Sequence, residues 1–246
     1  MTARDSLYKY RQLNAYSLAS LTNNTVWLAK PKSFNDPFDC AITLDQQKYK
    51  ESVLHAVSVA VERAKPEGLR LEHLQDIWPG DKEAFETFRD GILSLIQKMG
   101  VCSFSAVSDN VLMWSHYADN HKGFSVEYDS REGTKLRELA HKVTYTNEVP
   151  SLAAADFAPP NNEKAFDALW LTKAKCWEYE QEWRVMMNEG DKSFQAPSAI
   201  ISVAFGARMP ESDRVMLARV LRHQPDINFK EARLKEGQFL IEIVDV

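Results

Sequence analysis

Nine glycines are spread so thinly along this 246-residue chain, at positions 68, 80, 91, 100, 123, 133, 190, 206 and 237, that no two lie closer than nine residues. A loop that wraps a phosphate, or a turn sharp enough to present a nucleophilic serine, needs two glycines within about six residues, because only then does the backbone come close enough. The GxGxxG turn, the Walker A loop and the GxSxG elbow are therefore excluded. A nucleotide bound here would be held by side chains and helix termini instead.

The hydrophobic share of 44% is enough to bury a sizeable core, and the length fits one α+β domain, residues 1–246. Thirty Lys and Arg against thirty-five Asp and Glu give a net charge of −5, which argues against general binding to a phosphate backbone. Cys40, Cys102 and Cys176 are odd in number and far apart, so neither a disulfide framework nor a CxxC zinc site is indicated, and a reducing cytoplasm fits best. The N-terminal residues lack the apolar segment of a signal peptide, and no run approaches the ~18 apolar residues of a membrane span. A soluble, cytoplasmic chain without a membrane partner is expected. No HExxH, HxE or HD pattern surrounds any of the six histidines, and no metal is expected.

Periodicity outlines the elements. Leu7–Arg11 reads as a strand, Ala15–Thr22 as a helix and Val26–Ala29 as an extended segment, a small β-α-β. In Phe34-Asn35-Asp36-Pro37-Phe38-Asp39, Pro37 fixes its own φ and pushes Asp36 toward the extended region, so Asn35, Asp36, Pro37 and Asp39 form a rigid corner that should brace a site. Residues 46–99 carry apolar residues at three-and-four spacing and read as a helical lobe inserted in the domain, broken at Pro79-Gly80 and capped by Gly100. Strands are expected at Val101–Ser105, Gly123–Tyr128, Val143–Thr146, Glu182–Met187, Ala199–Phe205 and Phe239–Val244. Helices are expected from Asp109 or Asn110 to about Asp119, from Asn161 or Asn162 through Lys173, and over Glu211–Leu221, with a long loop from Glu148 to Pro160. Strands scattered around one block of helices imply an α+β fold with a mixed, mainly antiparallel sheet.

Three segments are dense in aromatic and polar residues. On a strand, Tyr8 and Tyr10 share one face and Lys9 and Arg11 the other, which suits either a site or an edge strand with a wet basic face. Ser103-Phe104-Ser105 precedes a helix in which Trp114, His116, Tyr117 and His121 fall within eight positions, suited to a site rim or to core packing. In Cys176–Arg184, an extended chain would line up Glu178, Glu180, Glu182 and Arg184 on one face, with Trp177, Tyr179 and Trp183 on the other. Carboxylates that close repel, so at least one pKa rises unless Arg184, a second cation or a ligand offsets them; a wet sheet face with Glu182 paired to Arg184 is the alternative.

These segments resemble the bacterial proteins grouped as domain of unknown function 2971. The resemblance runs through Leu7–Arg11, Trp27–Asp39, Met113–Asp119 with Lys122-Gly123-Phe124, and Trp177–Arg184. A second resemblance is to ADP-ribosyltransferases, which bind NAD without a glycine-rich loop. It implies that Arg11 holds the phosphates or ribose of NAD, that Ser103 and Ser105 buttress the site, and that Tyr8, Tyr10, Trp114, Tyr117 and Arg184 complete the cofactor-binding surface. Glu180-Gln181-Glu182 is similar to the Glu-x-Glu of arginine-modifying members. On that reading Glu182 steadies the developing oxocarbenium ion, Glu180 orients or deprotonates the acceptor, and His116 joins them as a catalytic residue.

The expected activity is transfer of ADP-ribose from NAD to an unidentified macromolecule, in a bacterial stress or defence setting. A non-catalytic sensor that binds a nucleotide or a partner is the main alternative, since the same cleft needs no chemistry for that. A metal-assisted nuclease using Asp36, Asp39, Glu180 and Glu182 ranks last, because the acids have no known ligand spacing. Arg214, Arg219, Arg222 and His223 along one late helix leave nucleic acid as an acceptor open, although a solvated helix face is the commoner explanation and nucleic acid is not favoured.

Overall fold

The computed structural model describes residues 5–64 and 81–246; the expected break at Pro79-Gly80 lies outside them. The chain begins with β1 (Ser6–Arg11), α1 (Ala15–Thr22), β2 (Thr25–Leu28), β3 (Thr43–Leu44), α2 (Gln46–Ala64) and α3 (Asp81–Lys98). It continues through β4 (Gly100–Ser105), α4 (Val111–Tyr117), β5 (Phe124–Asp129), α5 (Lys135–Leu139), β6 (Ala140–Lys142), β7 (Thr144–Thr146) and β8 (Ser151–Leu152). Next are α6 (Asn162–Trp170), β9 (Thr172–Ala174), β10 (Glu182–Met187) and β11 (Lys192–Gln195). Last come β12 (Ile200–Phe205), α7 (Glu211–Leu221), β13 (Asn228–Leu234) and β14 (Ile241–Asp245).

Eight strands form one sheet in the order β14-β13-β12-β5-β1-β4-β10-β6. The β12–β13 pair is parallel and the other pairs are antiparallel, so the fold is α+β with a mixed, mainly antiparallel sheet, as the scattered strands imply. β1 lies inside this sheet rather than at its edge. Its alternating cations misled because one of them, Lys9, is used within the protein rather than in water: its Nζ donates to the Ser103 carbonyl at 2.7 Å.

Register explains the two faces. Glu182 pairs with Ser105, Ser105 with Tyr8, Tyr8 with Glu127 and Glu127 with Ser202, and directly opposed residues project to the same side. One face therefore carries a polar row. The other carries Leu7, Phe104, Val126, Val185 and Val203, packed with Leu21 of α1 and Leu217 and Leu221 of α7. On the polar face, Met113 and Trp114 of α4 cover Tyr10, Ala204 and Ala232.

β1 runs beside β5 along its whole length but meets β4 only at Tyr8↔Ser105. Beyond that pair the two central strands part, and Lys9 spans the gap. This local split in the sheet creates a crevice at its centre.

Several expectations are corrected. α6 ends at Trp170, so Lys173 sits on β9 and not on the helix. Residues 175–180 form a 3-10 helix, so the extended arrangement considered for Cys176–Arg184 holds only from Glu182 onward. β2 pairs with β11, not β1, so the first three elements are not a β-α-β unit. α4 stops at Tyr117, and Asp119, Asn120 and His121 follow with φ of 47°, 53° and 68°. β13 follows no alternation of apolar residues and was not expected, and Phe239, fully exposed, precedes β14 instead of opening it. The segment 148–160 contains β8 and a 3-10 turn at Ala154–Phe157. Gly100 opens β4, where a Cβ would lie 2.5 Å from the Glu189 carbonyl oxygen, so it serves close backbone approach rather than capping. In the expected helical region, Tyr49 of α2 meets Phe85 and Phe88 of α3 with ring centroids 5.5 and 5.1 Å apart.

Gly123 is constrained in the same way as Gly100. A Cβ there would stand 2.1 Å from the Arg11 carbonyl oxygen and 2.9 Å from Ala118, both backbone atoms that cannot swing aside. Gly123→Ala is expected to lower stability by about 1–3 kcal/mol, the cost of overpacking. Urea unfolding of the two proteins measures it, and an unchanged midpoint would contradict the account.

Candidate functional site

The site starts at the corner. The Asp36 carboxylate accepts from the Phe38 N–H at 2.9 Å, the Asp39 N–H donates to the Asp36 carbonyl at 3.1 Å, and Cys40 follows at φ 59°. This turn directs Asp39 inward. Arg184 Nη2 donates to both Asp39 carboxylate oxygens at 2.8 Å, so Asp39 belongs to the site itself and not merely to its brace.

Arg184 is wholly buried on β10. Its Nε donates to Glu182 Oε1 at 2.7 Å, its Nη2 to Glu182 Oε2 at 3.1 Å and its Nη1 to the Trp170 carbonyl at 2.8 Å. Lys173 reaches in from β9, with Nζ 2.6 Å from Glu180 Oε2, 3.0 Å from Glu182 Oε2 and 3.6 Å from Asp39 Oδ2. Three buried carboxylates thus share two buried cations, which is how charges survive out of water.

Glu180 and Glu182 meet by a route that alternation does not describe. Glu180 ends the 3-10 helix Lys175–Glu180, Gln181 takes a left-handed conformation at φ 44°, and Glu182 opens β10. Two contacts hold this reversal: Ser105 Oγ donates to the Glu180 carbonyl at 2.6 Å, and the Glu182 N–H donates to Tyr145 Oη at 2.8 Å. Tyr117 then donates to Glu180 Oε1 at 2.5 Å, and Asn35 Nδ2 approaches the same phenol at 3.4 Å.

The two glutamates are driven apart in acidity. Burial alone would raise Glu182, but Arg184 and Lys173 hold it down at about 2. Burial raises Glu180, with Glu182 adding to the effect and Lys173 offsetting only part of it. Burial also opposes the charge on Lys173, yet Glu182, Glu180 and Asp39 together push its pKa above the ordinary lysine value. The buried Cys40 thiol is pushed up to about 12, which keeps it protonated.

A cavity of about 180 Å³ opens beside these acids, within the split between β1 and β4. Tyr8, Lys9, Tyr10, Phe34, Asn35, Asp39, Ser103, Ser105, Tyr117, Lys173, Glu180 and Glu182 contribute to its walls. A second cavity of about 460 Å³ shares Tyr10 and Tyr117 with it and is lined also by Arg11, Asn14, His116 and Asp119. Most of the residues singled out in the three segments therefore gather around two adjoining hollows.

The exceptions are instructive. Arg11 lines the wider cavity, apart from the glutamates, and its charge acts on Lys9 and Tyr128. His116 is exposed at the wider cavity, with Nδ1 2.9 Å from Tyr179 Oη. Trp114 is completely buried, donates from Nε1 to the Ser108 carbonyl at 2.8 Å and meets Tyr10 edge-on, so it is packing and cannot stack on a ligand. Arg184 stands behind the glutamates without lining either cavity. Lys173 and Lys9 were missed. The first carried a signal, since two buried glutamates two residues apart require a cation besides Arg184.

Residues 113–185 match the family described as "Protein of unknown function (DUF2971)". Over this segment the chain is similar to that family. The matched stretch contains Tyr117, Lys173, Glu180, Glu182 and Arg184, whereas Tyr8–Arg11, Asn35–Asp39 and Ser103–Ser105 lie outside it. Comparison with curated proteins and with solved structures gave no match. Among the described residues, no helix is long and apolar enough to cross a membrane and no group of three or more His, Cys, Asp or Glu side chains is arranged to hold a metal.

Proposed function

We propose that the protein transfers ADP-ribose from NAD to a macromolecular acceptor, with the glutamate-lined cavity as the reacting end. The observation that carries this reading is the division of labour between two adjacent carboxylates: Glu182 stays ionised at about 2, while Glu180 is raised. Groups whose surroundings push their acidities apart are suited to different roles in one reaction.

Breaking the bond between the ribose C1′ and the nicotinamide nitrogen releases neutral nicotinamide and leaves positive charge on the ribose. A fixed carboxylate in a dry cavity favours that charge, which is the role of Glu182. The acceptor then attacks C1′ and gives up a proton, and Glu180, a stronger base than a free glutamate, is placed to take it. His116, at the wider cavity, serves the acceptor rather than the bond that breaks. NAD is too long for a cavity of about 180 Å³, so this reading extends it past Tyr10 and Tyr117 into the wider hollow.

One observation favours binding without chemistry. Both Glu182 oxygens already accept from Arg184 or Lys173, which leaves them little capacity for a ribose hydroxyl. Incubation with labelled NAD and cell extract separates the readings. Transfer is expected with the native chain, falling about 100-fold in Glu182→Gln, with Glu180→Gln as the variant that leaves Arg184 its partner. NAD binding by calorimetry without any labelled product would establish the sensor, and absence of both would remove NAD altogether.

A further inference from the structure

We propose that Lys9 is the anchoring donor for whatever enters the smaller cavity, and that the entering group is a flat ring carrying a carbonyl or carboxylate oxygen. The proposal rests on that cavity being a ligand site, and not on transfer taking place there.

Three cations stand at or beside the cavity, and two are fully engaged. Lys173 faces Glu180, Glu182 and Asp39, and Arg184 faces Glu182, Asp39 and the Trp170 carbonyl. Lys9 differs. Its Nζ donates to the Ser103 carbonyl at 2.7 Å, lies 5.4 Å from the centre of the Phe104 ring and hydrogen-bonds with the Cys102 side chain, while the Glu182 carboxylate acts on it only through its charge, without an ion pair. Among the described residues it forms no ion pair. An ammonium has three N–H donors, and a cation removed from water without a carboxylate is costly to keep. Burial lowers its pKa accordingly. An oxygen acceptor brought in by a ligand would supply the missing partner.

The walls define the rest of that ligand. Tyr8, Tyr10, Phe34 and Tyr117 surround the space, which favours a ring presenting its face or edge to theirs. At about 180 Å³ the cavity is below the ~300 Å³ at which pockets begin to take drug-sized molecules, so it suits a single ring. On the transfer reading, the carboxamide of nicotinamide is such a group.

The competing role for Lys9 is a staple between β1 and β4, which would affect stability and nothing else. Benzamide and nicotinamide are the probes, with benzylamine, a ring lacking the acceptor, as control. Calorimetry is expected to show benzamide binding to the native chain, at least about tenfold weaker binding to Lys9→Met, and none of benzylamine. In the native chain, benzamide is expected to protect Lys9 from acetic anhydride, read by peptide mass spectrometry, which keeps the test valid even if the variant folds poorly. Failure of benzamide to bind the native chain, equal binding to a folded Lys9→Met, or unprotected Lys9 at saturating benzamide would each overturn the proposal. Lys9-dependent benzamide binding without consumption of NAD would support it while removing the transferase.

Discussion

Replacing Arg184 with methionine is expected to lower the unfolding free energy by about 3–5 kcal/mol, the cost of removing one partner from a buried charge cluster. The size follows from what remains. Without the guanidinium, Asp39 and Glu182 stay buried with Lys173 as their common cation, and the Trp170 carbonyl loses its donor. Methionine fills much of the volume, so the loss reports charge rather than a cavity. Urea unfolding should show it, and adding Asp39→Asn to the variant should restore part of the stability by removing one stranded carboxylate. Arg131→Ala, at the exposed pair with Asp129, should leave the midpoint unchanged. A loss below about 1 kcal/mol at Arg184 would mean that the cluster tolerates solvent, contrary to its burial.

The elements with strong periodicity were legible. The α7 boundaries follow directly from the apolar spacing of Glu211–Leu221, and the strand at Glu182–Met187 from its own composition. The convergence of Tyr8, Ser105, Tyr117 and Glu182 on one hollow was legible too, because each lies in a segment too rich in polar and aromatic residues for simple packing. What stayed hidden was long-range pairing. Asp39 and Lys173 are far apart in sequence, and nothing local reveals that a turn and a short strand bring them within 3.6 Å. Lys173 follows a helical stretch, so periodicity carried the helix three residues too far. Lys9 beside Arg11 looked like a wet edge because alternation specifies which residues share a face, not whether the strand has neighbours on both sides. The left-handed Gln181 is a further case. Without a glycine to mark it, the reversal between Glu180 and Glu182 was invisible, although the two carboxylates met as an extended strand would have placed them.

Acid is expected to act on the fold through Glu182. Its pKa of about 2 in the folded protein lies below the ordinary 4.5, so the native state binds fewer protons there than the unfolded chain. A depressed carboxyl contributes stability that is complete above the unfolded value and is lost as the pH falls through the folded one, here between about 4.5 and 2. A difference of that size corresponds to about 3 kcal/mol. Glu180 has the opposite sign. Its raised pKa means that the folded state takes up a proton before the unfolded chain does, so stability rises slightly as the pH falls toward 4.5. The two effects occupy neighbouring windows, and the expected profile is a shallow gain followed by a steep loss. Unfolding free energies measured from pH 7 to pH 2.5 test this directly. Glu182→Gln should flatten the steep limb and Glu180→Gln should remove the shallow gain. If Glu182→Gln keeps the native acid limb, the protons that unfold the protein bind elsewhere, and the divided acidity that supports the catalytic reading does not exist.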